Sequence, residues 1–375
     1  MSEDRKPFHP SVEVVYLSRA RLHRPRANVI QTVKTVEGLV RIGVHVQLHL
    51  PPWKGNASLQ DILTQLGVTN SLEVYAHGGL RSLWKPVSFA PFFWKYADKL
   101  RHSCAVYTRS ADLSLALIRY GVPHSFEVHD VDDLRRQGVL GQLVAAHAKG
   151  LIRRFFPISE AAAQGLLEYG VSAMCLHVCP CGADLSLFEN IAPWNPAGLK
   201  EPHVMYVGRI SRDRGLGILE KLALHGACRV TVVGLLEDRP LTDRIQIVPF
   251  VPHQMIPRYL EQADILVMPY QEHLPHAGSI SPMKLFEAMA AGRPIIVSDL
   301  KPIREIIRHQ ENGLCVPPDN EKAWVDALKF LQEHPQRAQE MADQAKRDAF
   351  RYRWENRAQI LKQTLLLENP EPLHE

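Results

Sequence analysis

The chain has 375 residues, 46% of them hydrophobic, and a formal net charge of +4. Two α/β domains, each with its own core, fit in that length, and so mild a positive charge argues weakly for nucleic acid. No run of 18 apolar residues predicts a membrane span, and the opening MSEDRKPFHP mixes both charge signs without an apolar stretch, which reads against a secretory signal. A cytoplasmic protein is expected.

The N-terminal half alternates strand and helix patterns. VEVVYLS (12–18) predicts a strand. Residues 28–42 predict a helix with Val29, Val33, Val36, Leu39 and Val40 inward, ended by Gly43. VHVQLHL (44–50) follows as a strand stopped by Pro51 and Pro52. One β–α–β unit in so short a stretch marks a parallel sheet. Further strands are predicted at 104–110, 124–130, 153–159 and 174–180, with helices over 111–120, 133–150 and 160–169. ENIAPWNPAGLKEP (189–202) has three prolines, a glycine and no periodicity, and reads as a linker.

A second alternating series opens with HVMYVGRIS (203–211). Its strands are predicted at 229–234, 245–250, 264–270, 294–298 and 313–317, and the chain turns helical after about 321. SISPMKLFEAMAAGRPIIVSD (279–299) is the most informative segment. It predicts a loop, a helix from about Pro282 to Ala291 stopped by Gly292, and an apolar strand. The start of such a helix exposes N–H groups that favour an anion. Glu287 lies further along that helix, within reach of a diol held beside the anion. Phosphate next to a diol describes a nucleotide.

That segment resembles the donor-site motif of the family-4 retaining glycosyltransferases, Glu-x7-Glu. Glu287 matches the second Glu, and Ser279 stands at the first. YVGRISRDRG (206–215) resembles the family's phosphate-binding loop, with Arg209 matching its Arg and Arg214 standing where Lys is usual. FFPISEAAAQGLLEYGV, HVCPCGADLSLF and RPRANVIQTVKTVEGLVRIGVHVQLHLPP resemble family segments of the first domain. FRYRWENRAQILKQTL (350–365) resembles the last helix, which crosses back to that domain.

The resemblance implies an α/β GT-B fold: two doubly wound, Rossmann-like domains facing across a cleft. The expected division is 1–192 for the acceptor domain, 193–345 for the nucleotide-sugar donor domain and 346–375 for the returning helix. Arg209, Arg214 and His129 are the implied catalytic group. Gly278, Ser279, Ile280, Ser281, Lys284 and Glu287 are the implied donor contacts. Arg26 and Asn28 are candidates on the acceptor side. A nucleotide-sugar is the expected co-substrate, with a glycan, lipid-linked or small-molecule acceptor, as in cell-envelope or polysaccharide synthesis. An inactive nucleotide-sugar-binding relative and a sugar-nucleotide epimerase are the alternatives.

Fixed positive charge aimed at a departing diphosphate is what such a transfer needs, and guanidinium groups supply it. No cofactor or metal is expected. Asp130-x-Asp132 reads as acidic residues at a helix start. Cys175, His177, Cys179 and Cys181 lack a zinc-knuckle spacing. His129 ends a predicted strand on the side where parallel sheets bind ligands.

Residues 83–102 interleave aromatics (Trp84, Phe89, Phe92, Phe93, Trp94 and Tyr96) with Lys85, Lys95, Lys99 and Arg101. Arg19, Arg21, Arg24 and Arg26 add charge from the preceding loop. A core helix with snorkelling cations is one reading, contact with the inner face of the plasma membrane a second, and single-stranded nucleic acid a minor third. No nucleic-acid partner is expected.

Overall fold

The computed structural model describes residue 8 and residues 11–24, 26–81, 89–102, 105–225 and 227–366. They divide into two compact units, residues 1–180 with 354–375, and residues 181–353.

The first unit runs β1 (Val14–Leu17), α1 (Ala27–Arg41), β2 (Val46–Leu50), α2 (Leu59–Gln65), β3 (Glu73–Ala76) and α3 (Ala90–His102). It continues with β4 (Ala105–Thr108), α4 (Ala111–Arg119), β5 (His124–Val128), α5 (Val131–Arg136), α6 (Leu140–Ala148), β6 (Ile152–Pro157) and α7 (Glu160–Glu168). The sheet order is β3-β2-β1-β4-β5-β6, with every pair parallel. The two central strands, β1 and β4, are near-continuous apolar runs, as expected of a parallel sheet covered on both faces. α1 turns Val29, Val33, Val36 and Leu39 into the core as its spacing predicts. It also buries Lys34, whose ammonium reaches Glu37 at 2.8 Å. Glu37 in turn accepts the backbone N–H groups of Thr69 and Asn70, fixing the loop before β3.

The second unit runs β7 (His203–Val207), α8 (Leu216–His225), β8 (Arg229–Val233), β9 (Ile245–Val248), α9 (Ile256–Glu261) and β10 (Ile265–Met268). Then come α10 (Met283–Ala291), β11 (Ile295–Ser298), α11 (Lys301–Arg304), β12 (Leu314–Val316), α12 (Glu321–Glu333) and α13 (Pro335–Ala349). The order β12-β11-β10-β7-β8-β9 is again all parallel. The chain winds outward in one direction from β7 to β9 and in the other from β10 to β12. The switch point is therefore the crevice between β7 and β10, where sheets of this kind bind ligands at their carboxyl ends.

α14 (Trp354–Leu366) belongs to the first unit and packs on α1. Gly38 permits this, because a Cβ there would stand 2.8 Å from the Trp354 carbonyl oxygen. Arg357 of α14 is buried and ion-pairs with the buried Glu127 of β5 at 2.6 Å. The same guanidinium donates to the carbonyls of Cys179 and Pro180.

Three expectations from sequence need correction. Residues 174–180 are not a strand: they hold a 3-10 turn at Ala173–Cys175 and a single bridge from Leu176 to Phe155. Residues 189–202 are no free linker. Trp194 is buried in the second unit's core and donates its indole N–H to the Asp264 carbonyl at 3.0 Å, and Arg293 donates to the Ala192 carbonyl at 3.0 Å. The units accordingly divide at 180/181 and 353/354 rather than at 192/193 and 345/346. Residues 133–150 form two helices, α5 and α6, split at Gly138 with φ +67°.

Of residues 83–102, Trp84 and Lys85 lie outside the described residues, as does Cys104. α3 buries Phe92, Phe93, Ala97 and Leu100, while Trp94 is 78% exposed.

Candidate functional site

β7 carries the chain to the switch crevice and is followed by Gly208, whose φ is +148°. Tyr206, buried in β7, donates its hydroxyl to the Arg209 carbonyl at 2.8 Å, which fixes the turn. α10 approaches the same spot. Pro282 lies just before its first residue, and Gly292 ends it in the left-handed conformation, φ +62°. Lys284, in its first turn, donates to the Tyr206 hydroxyl at 3.1 Å. Its ammonium lies 4.6 Å from the ring centroid of Tyr206 and 5.4 Å from that of Tyr270, just beyond β10. Burial, then the nearby positive charge of Arg214, brings the Lys284 pKa down to about 7; Glu287 opposes the shift and Arg209 adds to it. Burial pushes the Tyr206 and Tyr270 hydroxyls up, so both rings stay neutral.

Arg214 is buried and meets Asp213 at 3.1 Å and the Ser211 hydroxyl at 3.3 Å. Gly215 follows at φ +81°, and a Cβ there would stand 1.9 Å from the Pro269 carbonyl oxygen. Only glycine lets the Arg214 turn press against the end of β10. Arg209 is half-exposed and meets Glu237 at 3.0 Å. Asp213 and Glu237 are thus the carboxylates that balance the two arginines in this structure.

Glu287 is buried and accepts from His253 at 2.6 Å. His253 opens a 3-10 turn, His253–Met255, between β9 and α9. In the loop before α10, Gly278 is exposed, whereas Ser279, Ile280 and Ser281 are buried. The Ser279 N–H donates to the His276 carbonyl at 3.0 Å. The Ser281 hydroxyl accepts the Cys181 N–H at 3.0 Å and so ties this loop to the unit's first residue. The structure therefore gathers Arg209, Arg214, Lys284 and Glu287 at one carboxyl edge.

The remaining candidates sit in the first unit. His129 follows β5. Its Nδ1 accepts from Arg109 at 3.3 Å, and its Nε2 bonds the Glu127 carboxylate. Burial, then Arg109, lowers its pKa to about 4 against the pull of Glu127. Burial pushes Glu127 up, but Arg357, His129 and Arg109 outweigh it and hold the carboxyl below its usual range. His129 is thus a neutral ring locked in one tautomer. Arg26 is the exposed residue before α1; Asn28 is exposed one position into it, and its carbonyl accepts Thr32 at 2.9 Å. Asp130 caps α5 by accepting the Asp133 N–H at 2.9 Å. No group of three or more His, Cys, Asp or Glu residues placed to hold a metal occurs among the described residues.

Sequence reasoning missed Tyr206, Tyr270 and His253. The two tyrosines were visible as aromatic residues at the ends of predicted strands. His253 carried no local signal, because its partner lies 34 residues away.

Residues 188–348 match the model of the family described as "Glycosyl transferases group 1". The chain is 28% identical over 221 residues to the amylovoran biosynthesis glycosyltransferase AmsK of Erwinia amylovora, covering 53% of each. It is 27% identical over 161 residues to an alpha-D-kanosaminyltransferase of Streptomyces kanamyceticus, covering 38% of this chain and 40% of that one. The chain spans about half the length of the curated relatives it matches. Among solved structures, HepE of Anabaena with UDP and glucose superposes with a TM-score of 0.72 at 16% identity, covering 94% of this chain and 99% of that one. Sucrose-phosphate synthase of Thermosynechococcus elongatus superposes with 0.71 at 18%, covering 94% and 98%. The fold is therefore GT-B, and the match to the glycosyl transferases group 1 model lies over residues 188–348.

Proposed function

We propose that the protein is a metal-independent, retaining glycosyltransferase of the family-4 type. It moves a sugar from a nucleotide-sugar to a glycan, lipid-linked or small-molecule acceptor in cell-envelope or polysaccharide synthesis. The observation that carries this reading is the convergence of Arg209, Arg214 and Lys284 on the β7–β10 switch point. Single carboxylates, Glu237 and Asp213, balance Arg209 and Arg214 in this structure, and a nucleoside diphosphate is a polyanion able to join both guanidinium groups and Lys284 at once. Glu287 then takes the ribose diol. The similarity to HepE, solved with UDP and glucose, and to AmsK, named for amylovoran biosynthesis, supports the donor class and the pathway class.

In the reaction the bond from the anomeric carbon to the diphosphate oxygen breaks. The acceptor oxygen bonds that carbon from the same face, and its proton passes to the departing phosphate oxygen. The cations stabilise the charge that builds there. Ser279 stands where a carboxylate would touch the sugar, so the donor's hydroxyl pattern is read by a neutral side chain and by the backbone of 278–281. Work at the cytoplasmic face of the plasma membrane, with Trp94, Lys95 and Lys99 toward lipid, suits the exposed side of α3.

Thermal shift against UDP, GDP, ADP and dTDP, followed by nucleotide release from the matching sugar donors, tests the reading. A selective shift and release of the free nucleotide are expected; no shift with any nucleotide overturns it. A second reading, a binder that has lost catalysis, is favoured by Ser279 alone. It predicts a shift without release, and release only after Ser279→Glu.

A further inference from the structure

We infer that His253 is a positioning residue for the nucleoside: it holds the Glu287 carboxylate in place to receive the ribose diol. The inference rests on the donor-site reading above.

Glu287 has three side-chain torsions, and a carboxylate must face both hydroxyls at once to hold a diol. Burial alone does not orient it. Its backbone is fixed in α10, and the next α10 residues, Ala288 and Met289, are buried, but packing sets no direction for a charged group. His253 does. It comes from a separate element, the turn after β9, and meets Oε1 at 2.6 Å with its side chain 14% exposed. An ionised carboxylate only accepts, so Nε2 carries the proton and donates. The other ring nitrogen, Nδ1, is buried and has no hydrogen-bond partner among the described residues. The bond to Glu287 is therefore the polar contact that the imidazole makes.

The arrangement leaves room for the ligand. A carboxylate offers about four acceptor positions, and His253 occupies one. Among the described residues Glu287 shows no second hydrogen bond, and its side chain keeps 10% of its surface open. One oxygen is pinned and the other is left to accept. The 2′- and 3′-hydroxyls of a ribose are two donors at the spacing of a carboxylate's oxygens. His253 thus does for Glu287 what an orienting partner does for a ligating side chain: it sets direction without touching the ligand.

The test measures ribose recognition in the full chain. Affinities of UDP, GDP and ADP, and of the 2′-deoxy and 3′-deoxy forms of whichever binds, are compared by calorimetry in wild type, His253→Ala, His253→Gln and Glu287→Gln. Wild type should favour the ribonucleotide over the 3′-deoxy form by about tenfold, the scale of one hydrogen bond to a charged group. His253→Ala should weaken the ribonucleotide and leave the deoxy form nearly unchanged, so discrimination collapses. His253→Gln keeps an N–H donor and should restore part of it. A structural role would lower both affinities together. Full discrimination in His253→Ala, with discrimination lost in Glu287→Gln, overturns this inference and leaves the ribose reading intact. Discrimination unchanged in Glu287→Gln, or no binding of any nucleotide by wild type, overturns both.

Discussion

Lys284 and Gly208 share one space: a Cβ on Gly208 would stand 1.9 Å from the Lys284 ammonium nitrogen. The glycine is there for the lysine as well as for the turn. Gly208→Ala must move Lys284 off Tyr206 and strain a backbone at φ +148°. Strain of this kind costs about 1–3 kcal/mol. Urea denaturation should show that loss, and nucleoside diphosphate affinity should fall with it. Wild-type values for both would contradict the shared-space account.

Lys284 gives a pH dependence with a defined sign. Its pKa is about 7, against 10.5 for a free lysine, set by burial and by Arg214, with Arg209 adding and Glu287 opposing. Tyr206 and Tyr270, the rings packed on it, stay neutral. Between those two values the unfolded chain holds a proton that the folded chain lacks, so this lysine's contribution to stability improves as pH rises from 7. A bound diphosphate favours the charged amine and reverses the shift. Calorimetry at pH 8 in buffers of different ionisation enthalpy should register proton uptake on binding. Lys284→Met should abolish that uptake and relieve the folded protein near pH 6. Equal uptake in the mutant would assign the proton elsewhere.

Arg209 must leave Glu237 to serve a phosphate. Their pair is exposed, 51% and 37%, and pairs of that kind contribute only about 0–1 kcal/mol. The exchange should therefore be easy. Glu237→Gln should raise diphosphate affinity a fewfold, whereas Arg209→Ala should reduce transfer a hundredfold or more, about 3 kcal/mol. Steady-state kinetics of both variants would show opposite directions; matching losses would place Glu237 in the ligand's own contacts.

The ion pair of Glu127 and Arg357 is buried at 0% and 2% exposure. Arg357→Met should cost up to about 3–5 kcal/mol, because it removes the guanidinium paired with a buried carboxylate and leaves it the hydrogen bonds of Gln31, Tyr107 and His129. Adding Glu127→Gln should recover part of that. The Glu127 pKa is lowered in the fold, so its contribution is fully present above the free value of 4.5 and is lost as pH falls below it. Denaturant titrations at pH 7 and pH 3 should show the Arg357→Met penalty shrinking in acid. A penalty independent of pH would make it a packing effect.

Transfer should survive EDTA. Asp130 is occupied as the cap of α5, and Asp132 is 70% exposed. Loss of activity with chelator, restored by manganese or magnesium, would return these two carboxylates to the site.

The strands of the second unit were all legible, since its central ones read as apolar runs between helices. The edge of the first sheet was less so. β3 was missed because Glu73, Val74 and Tyr75 are only partly buried at the sheet's margin. Residues 174–180 looked like a strand because a short apolar run has no helix or strand period of its own. Among candidate site residues, those inside the two motifs were visible: Arg209 and Arg214 in 206–215, Lys284 and Glu287 in 279–299. The partners that set their state were not, since Glu237 lies 28 residues from Arg209 and His253 lies 34 from Glu287. Sequence spacing shows neighbours along the chain, and these meet only through the fold.

Arg357 also sets an order of events during synthesis. It grips the carbonyls of Cys179 and Pro180, the last residues before the chain leaves the first unit, and it neutralises Glu127. The carboxylate and its guanidinium are 230 residues apart. At roughly 5–20 residues per second, a ribosome needs on the order of ten to fifty seconds to make that interval. Throughout it, the first unit lacks both α14 and the guanidinium that pairs with Glu127. The second unit, whose sequence is continuous, can finish first. The first half of the nascent chain is thus the half that waits.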